Sequence, residues 1–363
     1  VLGTNISQRP PMKLTEYIYS PEHYSKGDSI CHIEKPEHLL KKIILPKTTS
    51  LHIHKSIEDS ILSIYKSKQQ NYIANLNNVS VVSYNSSGSI SVFKNKIKIK
   101  DLSTSYNFKN TDLNQKKIKE KSILLSMDSG SNYFHWMCQI IPRIKLLYDY
   151  GLKWPDIGLI LTPEVRGSFV GETLSLMNVP QDILFEQRSG FEYIFDNIII
   201  PSCPNKHIHF SKWSLDFVKS LFISNDNPQF RKIYITRDSS FGRNVLNEPE
   251  VWEFLQSQGY ERYSLADMSV KEQAALFNSA SHVICPHGAD LTNLIFCQPD
   301  TNVIELFNPS YFSPLYWSLC NQLDYSHAYL IGEGMLLNND KAKKQSVKVS
   351  LSKLKKLLFL CNI

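Results

Sequence analysis

Several familiar signatures are missing from this 363-residue sequence. It has no Gly-x-Gly-x-x-Gly and no P-loop pattern, which counts against a dinucleotide cofactor and against a Walker-type phosphate cradle. No Asp-x-Asp occurs, the carboxylate pair that commonly holds a divalent ion on a diphosphate. No Cys-x-x-Cys links the seven scattered cysteines (Cys31, Cys138, Cys203, Cys285, Cys297, Cys320 and Cys361). Their odd number and apolar settings fit small buried thiols in a reducing compartment. No apolar run approaches the roughly 18 residues of a membrane span, and the first residues show no signal-peptide pattern. Charge of one sign is also scarce. Lys and Arg total 40 against 34 Asp and Glu, a net +6 that suits nucleotide phosphates or an anionic lipid face but is too weak for a nucleic-acid binder.

Hydrophobic residues make up 42% and charged residues 20%, a globular composition with length enough for two domains. Residues 1–11, before Met12, read as a ragged start and are left out of the fold reasoning. Residues 72–100 alternate apolar and polar side chains around Asn85-Ser86-Ser87-Gly88, the pattern of a β-meander. Helical periodicity runs over 133–150, and buried strands are expected at 157–162 and 194–201. From Arg231 onward, short apolar runs alternate with helical stretches. Asn247-Glu248-Pro249-Glu250 and Ser269-Val270-Lys271-Glu272 read as capping boxes, and Gly259 as a helix stop. Four strands separated by helices between Arg231 and Phe307 specify a parallel sheet of Rossmann type.

The densest chemistry lies in Ser281-His-Val-Ile-Cys-Pro-His-Gly-Ala-Asp-Leu-Thr-Asn293. An apolar strand ends there in Pro-His-Gly, and a helix begins at Ala289. Such a junction aims backbone N–H groups and a positive helix end at an anion. An ordinary βα turn with a surface histidine would read the same way locally. The other strand ends add weight. Arg237 and Arg243 follow the first strand, Asn293 lies one turn into the helix, and Glu305 ends the fourth strand. Guanidinium forks bind phosphate oxygens, and a carboxylate accepts ribose hydroxyls, so a nucleoside diphosphate sugar is the favoured ligand.

The run Tyr234–Glu248, then Pro286-His-Gly-Ala-Asp-Leu-Thr-Asn293 and Val303-Ile-Glu-Leu-Phe307, resembles glycosyltransferase family 61. The element Asn132-Tyr-Phe-His-Trp136 with Pro142-Arg143 resembles that family's other signature. The resemblance implies an α/β, GT-B-like fold: two Rossmann-type domains facing across a cleft, with an N-terminal β-rich extension. It implies an acceptor-side domain over 12–205, a nucleotide-sugar domain over 206–335 and a basic amphipathic helix over 336–363. It further implies inverting, metal-independent transfer from a UDP-sugar such as UDP-xylose or UDP-N-acetylglucosamine. Arg237, Arg243, His287, Gly288, Ala289, Asn293 and Glu305 would hold the donor, and no cofactor is expected. Many relatives carry an acid four residues after the His of the first signature. Here that position is Gln139, which cannot take a proton.

An inverting transfer needs a base for the acceptor hydroxyl. His135 is the first candidate and Asp128 the second, with Asn132, Gln139 and Arg143 as acceptor-side or supporting groups. A packed histidine beside Trp136 is the plainer reading of His135. Arg143 would reach a phosphate or pair with an acid. The pairs His52/His54 and His207/His209 lack a third metal ligand nearby and read as polar faces of extended segments. The tail from Lys341 mixes lysines with Leu351, Leu354, Leu357, Leu358 and Leu360. It would lie on anionic lipid or dock its leucines on the first domain, lysines outward. The expected role is addition of sugar to a growing oligosaccharide or lipid-linked glycan of a bacterial capsule or lipopolysaccharide, in the cytoplasm at the membrane's inner face. An inactive sugar-nucleotide-binding scaffold is the rival reading, and a nucleotide-sugar epimerase a third.

Overall fold

The computed structural model describes residues 28–33, 35, 43–50, 53–66, 71–99, 102–103, 113–164, 167–205, 208–224, 230–237, 242–339 and 341–362. The chain divides into two compact units, Val1–Pro36 with Gln69–Pro204, and Glu37–Lys68 with Asn205–Ile363. In chain order the strands are β1 (Ser29–His32), β2 (Lys47–Thr48), β3 (Tyr72–Ser83), β4 (Ile90–Lys94), β5 (Ile97–Ile99), β6 (Asn114–Ile118), β7 (Ser122–Leu124) and β8 (Leu159–Thr162). Then come β9 (Leu184–Glu186), β10 (Phe191–Pro201), β11 (Arg231–Ile235), β12 (Tyr260–Tyr263), β13 (Ala280–Pro286), β14 (Asn302–Phe307) and β15 (Ser326–Ile331). The α-helices among the described residues begin with α1 (Lys55–Lys66), α2 (Tyr133–His135), α3 (Ile141–Asp149), α4 (Ser168–Leu176) and α5 (Lys212–Ser220). They end with α6 (Glu248–Ser257), α7 (Val270–Asn278), α8 (Leu315–Gln322) and α9 (Leu351–Leu360).

In the first unit a mixed sheet runs β5-β4-β3-β10-β7-β8-β9, with β1 beside β3 and β6 beside β10. The alternating segment folds as expected: β3, β4 and β5 pair antiparallel. Strand β10 is the seam, antiparallel to β3 and parallel to β7, and β7, β8 and β9 continue in parallel. Its Tyr193, Phe195, Ile198 and Ile200 join Val79, Val81 and Val92 in one buried cluster.

Between β7 and β8 the helical stretch has three parts. Asn132 caps α2 by accepting from the Phe134 N–H, a π-turn covers Trp136–Ile140, and α3 follows. The Ile141 N–H reaches back to the Trp136 carbonyl. Pro142 has no N–H to continue the regular ladder, and the turn widens just before it. Arg143 points inward and is 5% exposed. Its Nε donates to the Pro201 carbonyl at 3.1 Å, Nη1 to Leu125 at 2.8 Å and Nη2 to Leu124 at 2.7 Å. It therefore clamps the ends of β7 and β10, and reaches neither an acid nor a phosphate as the sequence reading proposed. Burial pulls its pKa down to about 10.

The second unit is built on an all-parallel sheet in the order β12-β11-β13-β14-β15-β2. Its central strands are buried on both faces, as in Val283-Ile284-Cys285 and Val303-Ile304, because helices cover each side. The Ser269 capping box is formed, and Gly259 takes the left-handed conformation after α6 at φ 81°. The Asn247 box is not. That side chain instead pairs with the Val349 backbone, accepting from its N–H and donating to its carbonyl.

Two chain-distant pieces complete this unit. Strand β2 adds to the β15 edge, and Ile57 of α1 packs with Phe307, Trp317 and Tyr329. The segment 37–68, which chain order places in the first domain, thus goes with the second unit. At the other end α9 buries Leu354, Leu357 and Leu358 in the core of its own unit, with Lys353, Lys355 and Lys356 exposed. Docking of those leucines on the first domain is thereby corrected, and Leu360 stays 40% exposed. Among the described residues no helix is long and apolar enough to cross a membrane.

Replacing Arg143 by Met keeps an aliphatic stem and orphans three buried carbonyls. The expected loss is roughly 3 kcal/mol or more of unfolding free energy. Urea denaturation should show a lowered midpoint at unchanged slope; a wild-type midpoint would show that the clamp contributes nothing.

Candidate active site

In the parallel sheet the strand order reverses between β11 and β13, the place where open α/β sheets leave a crevice beyond their carboxyl ends. Arg237 lies two residues past β11, and His287 and Gly288 directly follow β13. The Arg237 guanidinium crosses over Gly288. A Cβ at Gly288 would collide with Arg237 Nη1, so the glycine is required by this close approach and not by its extended backbone. Nη1 donates to Asp290 Oδ2 at 2.9 Å and Nε to the Gly242 carbonyl at 3.3 Å.

Arg243 stands beside it. Its backbone is left-handed at φ 61°, uncommon for a residue with a side chain, and its N–H donates to the Lys344 carbonyl at 3.2 Å. Nε is buried with no hydrogen-bond partner. Burial, and then the Arg237 charge, pull the Arg243 pKa below its ordinary value, partly offset by Tyr311, Tyr316 and Asp290. Burial raises the Asp290 pKa while both guanidiniums restrain it. Two cations thus share one carboxylate, and an incoming anion would relieve them.

His287 is fixed from behind. Its Nδ1 meets Glu305 Oε1 at 2.5 Å, and the second oxygen, Oε2, meets His327 Nε2 at 3.0 Å. The carboxyl group is wholly buried. Burial alone would raise its pKa, but His287 and His327 outweigh it and hold it below the usual range. His327 Nδ1 is buried without a hydrogen-bond partner, while its Nε2 faces Glu305. His287 faces the other oxygen of the same carboxylate. Its ring stacks on Phe307, with centroids 5.0 Å apart, and Tyr311 and Tyr316 stand at 5.3 and 5.7 Å. The same two tyrosines are near Arg243, which places both cations and the imidazole in one neighbourhood.

The structure thus brings together Arg237, Arg243, His287 and Gly288, with Ala289 opening a 3-10 helix, Ala289–Phe296, where an α-helix was expected. It changes two other assignments. Glu305 has no oxygen left for a ribose, since both are engaged and the side chain is 0% exposed. Asn293 is also 0% exposed; it donates to Gln273 Oε1 at 2.8 Å and to the Asp290 carbonyl at 3.0 Å, bracing the turn rather than meeting a ligand. Sequence reasoning missed Asp290, Tyr311, Tyr316 and His327. Asp290 lay inside the quoted motif. The tyrosines and His327 carry no spacing signal.

In the first unit His135 is half-buried, and Gln139, one turn on, is buried. His135 Nδ1 and Gln139 Oε1 are 2.6 Å apart, so the amide oxygen accepts the Nδ1 proton and leaves Nε2 as the basic nitrogen. Asp128 is exposed on the turn after β7 and accepts from Ser89 Oγ at 2.5 Å. Of the histidine pairs, His52 and His207 lie outside the described residues. His54 stacks on Phe312 at 3.9 Å. Among the described residues no group of three or more His, Cys, Asp or Glu is arranged to hold a metal ion.

The family model for glycosyltransferase 61 matches residues 133–304, from the start of α2 into β14. Residues 133–304 are a glycosyltransferase family 61 region. The matched stretch holds His135, Gln139, Arg143, Arg237, Arg243 and the His287–Asn293 turn, while Glu305, Tyr311, Tyr316 and His327 lie beyond it. No curated protein matches the chain.

The depressed Glu305 pKa has a definite sign. Its stabilisation is complete above the unfolded carboxyl value and is lost as pH falls through the lower folded value. Glu305→Gln is expected to cost roughly 3 kcal/mol at neutral pH and to flatten the acid limb of the stability profile below about pH 4.5. Chemical denaturation across pH checks this; parallel wild-type and variant profiles would reject it.

Proposed function

We propose that the chain is an inverting, metal-independent glycosyltransferase of GT-B-like, two-Rossmann-domain design that uses a UDP-sugar. The observation that carries this reading is the guanidinium pair at the reversal point of the parallel sheet, with Arg237 lying over Gly288 and Arg243 lacking a partner at Nε. Membership of family 61 supports a sugar donor and a glycan acceptor.

In the proposed reaction an acceptor hydroxyl attacks the anomeric carbon, and the bond from that carbon to the diphosphate oxygen breaks. The electron pair leaves with the diphosphate, and the hydroxyl proton passes to a base. Arg237, Arg243 and His287, backed by the Glu305 carboxylate, meet the charge that grows on the leaving group. Amide groups at the start of the 3-10 helix add a further favourable dipole.

His135 is the proposed base, with Asp128 second. The Nδ1 contact to Gln139 gives the glutamine a task an acid would otherwise perform, which is to orient the imidazole. This favours an active enzyme over the inactive scaffold that Gln139 brings to mind. The capsule or lipopolysaccharide role belongs to the same proposal, with a cytoplasmic site of action. Membrane contact would fall to the outward lysines of α9 and to Phe359, which is 79% exposed.

Arg237→Ala and His287→Ala are each expected to weaken UDP binding about tenfold or more by titration calorimetry. Gly288→Ala should do the same at an unchanged melting temperature, because the added methyl moves only the tip of Arg237. Unaltered affinity in all three would end the donor-site reading. For His135→Ala, turnover should fall by roughly two orders of magnitude or more with UDP affinity kept. Near-normal turnover there would move the base to Asp128.

A further inference from the structure

The charge of the chain is unevenly held. Seven of its 40 basic residues and none of its 34 acidic ones lie in 341–363, so residues 1–340 are net −1 and the whole positive excess belongs to this stretch. Lys341, Lys343, Lys344 and Lys348, ahead of α9, are all exposed. Among the described residues, three of the nine exposed large hydrophobic side chains stand around the same short segment: Leu246 at 63%, Met335 at 78% and Leu336 at 75%. Apolar residues scattered singly need no explanation, but a group of them beside cations marks an interaction surface.

Backbone pairing fixes that grouping. Val245 and Val347 bridge in parallel and are buried, so the residues after them, Leu246 and Lys348, turn outward. On the other side of Lys348, its carbonyl accepts from the Glu333 N–H at 2.8 Å. Gly334, at φ 146°, then turns the chain so that Met335 and Leu336 project. The loop is tied down beneath them. The Met335 carbonyl accepts from Gln345 Nε2 at 2.9 Å, and the Leu337 N–H donates to Ser310 Oγ at 2.7 Å. Ser310 Oγ in turn donates to Gln345 Oε1 at 2.5 Å, which joins the apolar loop to the lysine-bearing segment. The face adjoins the donor site: the Lys344 carbonyl accepts from the Arg243 N–H, and Lys343 Nζ lies 5.9 Å from the centre of the Tyr311 ring.

The composition of this face selects its partner. Met335 and Leu336 are held in the open by backbone bonds, so only an outside partner can take their side chains from water. At 75–78% exposure they protrude. A protrusion suits a medium that closes round it, whereas an acidic peptide would need a groove. The four lysines select a negative surface, and Glu333 is the one described acid of 331–348 that opposes them. Long lysine stems let ammonium groups reach phosphate headgroups while the apolar tips go deeper.

We propose that the face formed by Leu246, Met335, Leu336 and the four lysines docks on an anionic phospholipid bilayer, with Met335 and Leu336 entering the headgroup layer. This goes beyond the contact given to α9 above, and it does not rest on the choice of donor. The full chain is sedimented with vesicles of phosphatidylcholine and phosphatidylglycerol in equal parts. Wild type should bind these and not vesicles of phosphatidylcholine alone. Met335→Ser combined with Leu336→Ser should raise the lipid concentration for half-binding about tenfold or more, with UDP affinity unchanged. Lys341→Gln combined with Lys348→Gln should do the same. All four side chains are exposed, and the unchanged UDP affinity shows that each variant is folded. Absence of vesicle binding, equal binding to the neutral vesicles, wild-type binding in both double variants, or a loss confined to Phe359→Ser would overturn the assignment. Retention on poly-glutamate without vesicle binding would give the face to an acidic polypeptide instead. A wild-type chain that binds the vesicles but no UDP would overturn the transferase reading and leave this one standing.

Discussion

One buried carboxylate organises the second unit. Glu305 sits at the carboxyl end of β14 with no access to water, and an unbalanced charge there would be untenable. The neighbouring strands supply the balance, His287 just past β13 and His327 within β15, so three adjacent strand ends are tied through one side chain. The orientation of the His287 ring follows from that tie. So does the course of the turn from His287 into the 3-10 helix, because the His287 N–H is also bound to the Leu306 carbonyl. The His287 ring is thus held by a group that is itself wholly buried.

The cationic side of the site has a different logic. Arg237 is anchored by Asp290 and by a backbone carbonyl, whereas Arg243 is presented from a left-handed residue with its Nε unanswered. One guanidinium is fixed and its neighbour keeps an unanswered Nε, so two positive charges stand side by side in partly buried surroundings. Such an arrangement stabilises charge without reorganising when charge arrives. The absence of a side chain at Gly288 is what lets the first arginine lie close enough to take part.

Much of this was legible in the sequence where a local rule decides the outcome. The strands from β11 to β14 read correctly because their apolar runs are bounded by Ser269, Gly259 and the Pro-His-Gly turn. Tyr72–Ile99 read as a meander because one face alternates. Illegible were the features set by partners distant in the chain. Arg143 resembles any helix arginine until three carbonyls from two other strands surround it. Glu305 resembles a ligand group, yet nothing in Val-Ile-Glu-Leu-Phe tells that both oxygens are spoken for. His327 and the tyrosines at 311 and 316 have no motif at all. Asn247 had the right spacing for a capping box, but the Val349 backbone competed for the same side chain and won.

The placement of Lys47–Thr48 and α1 bears on how the protein is made. These residues leave the ribosome early, whereas β15, the edge they complete, emerges more than 250 residues later. The nascent segment must wait through synthesis of the entire intervening unit, with Ile57 lacking its aromatic neighbours. Closing so long a loop late is slow and leaves a sheet margin open meanwhile. A fragment starting at residue 205 would keep that margin bare for good, so separating the halves by a single cut after Pro204 is a route to aggregation, not to a free-standing lobe.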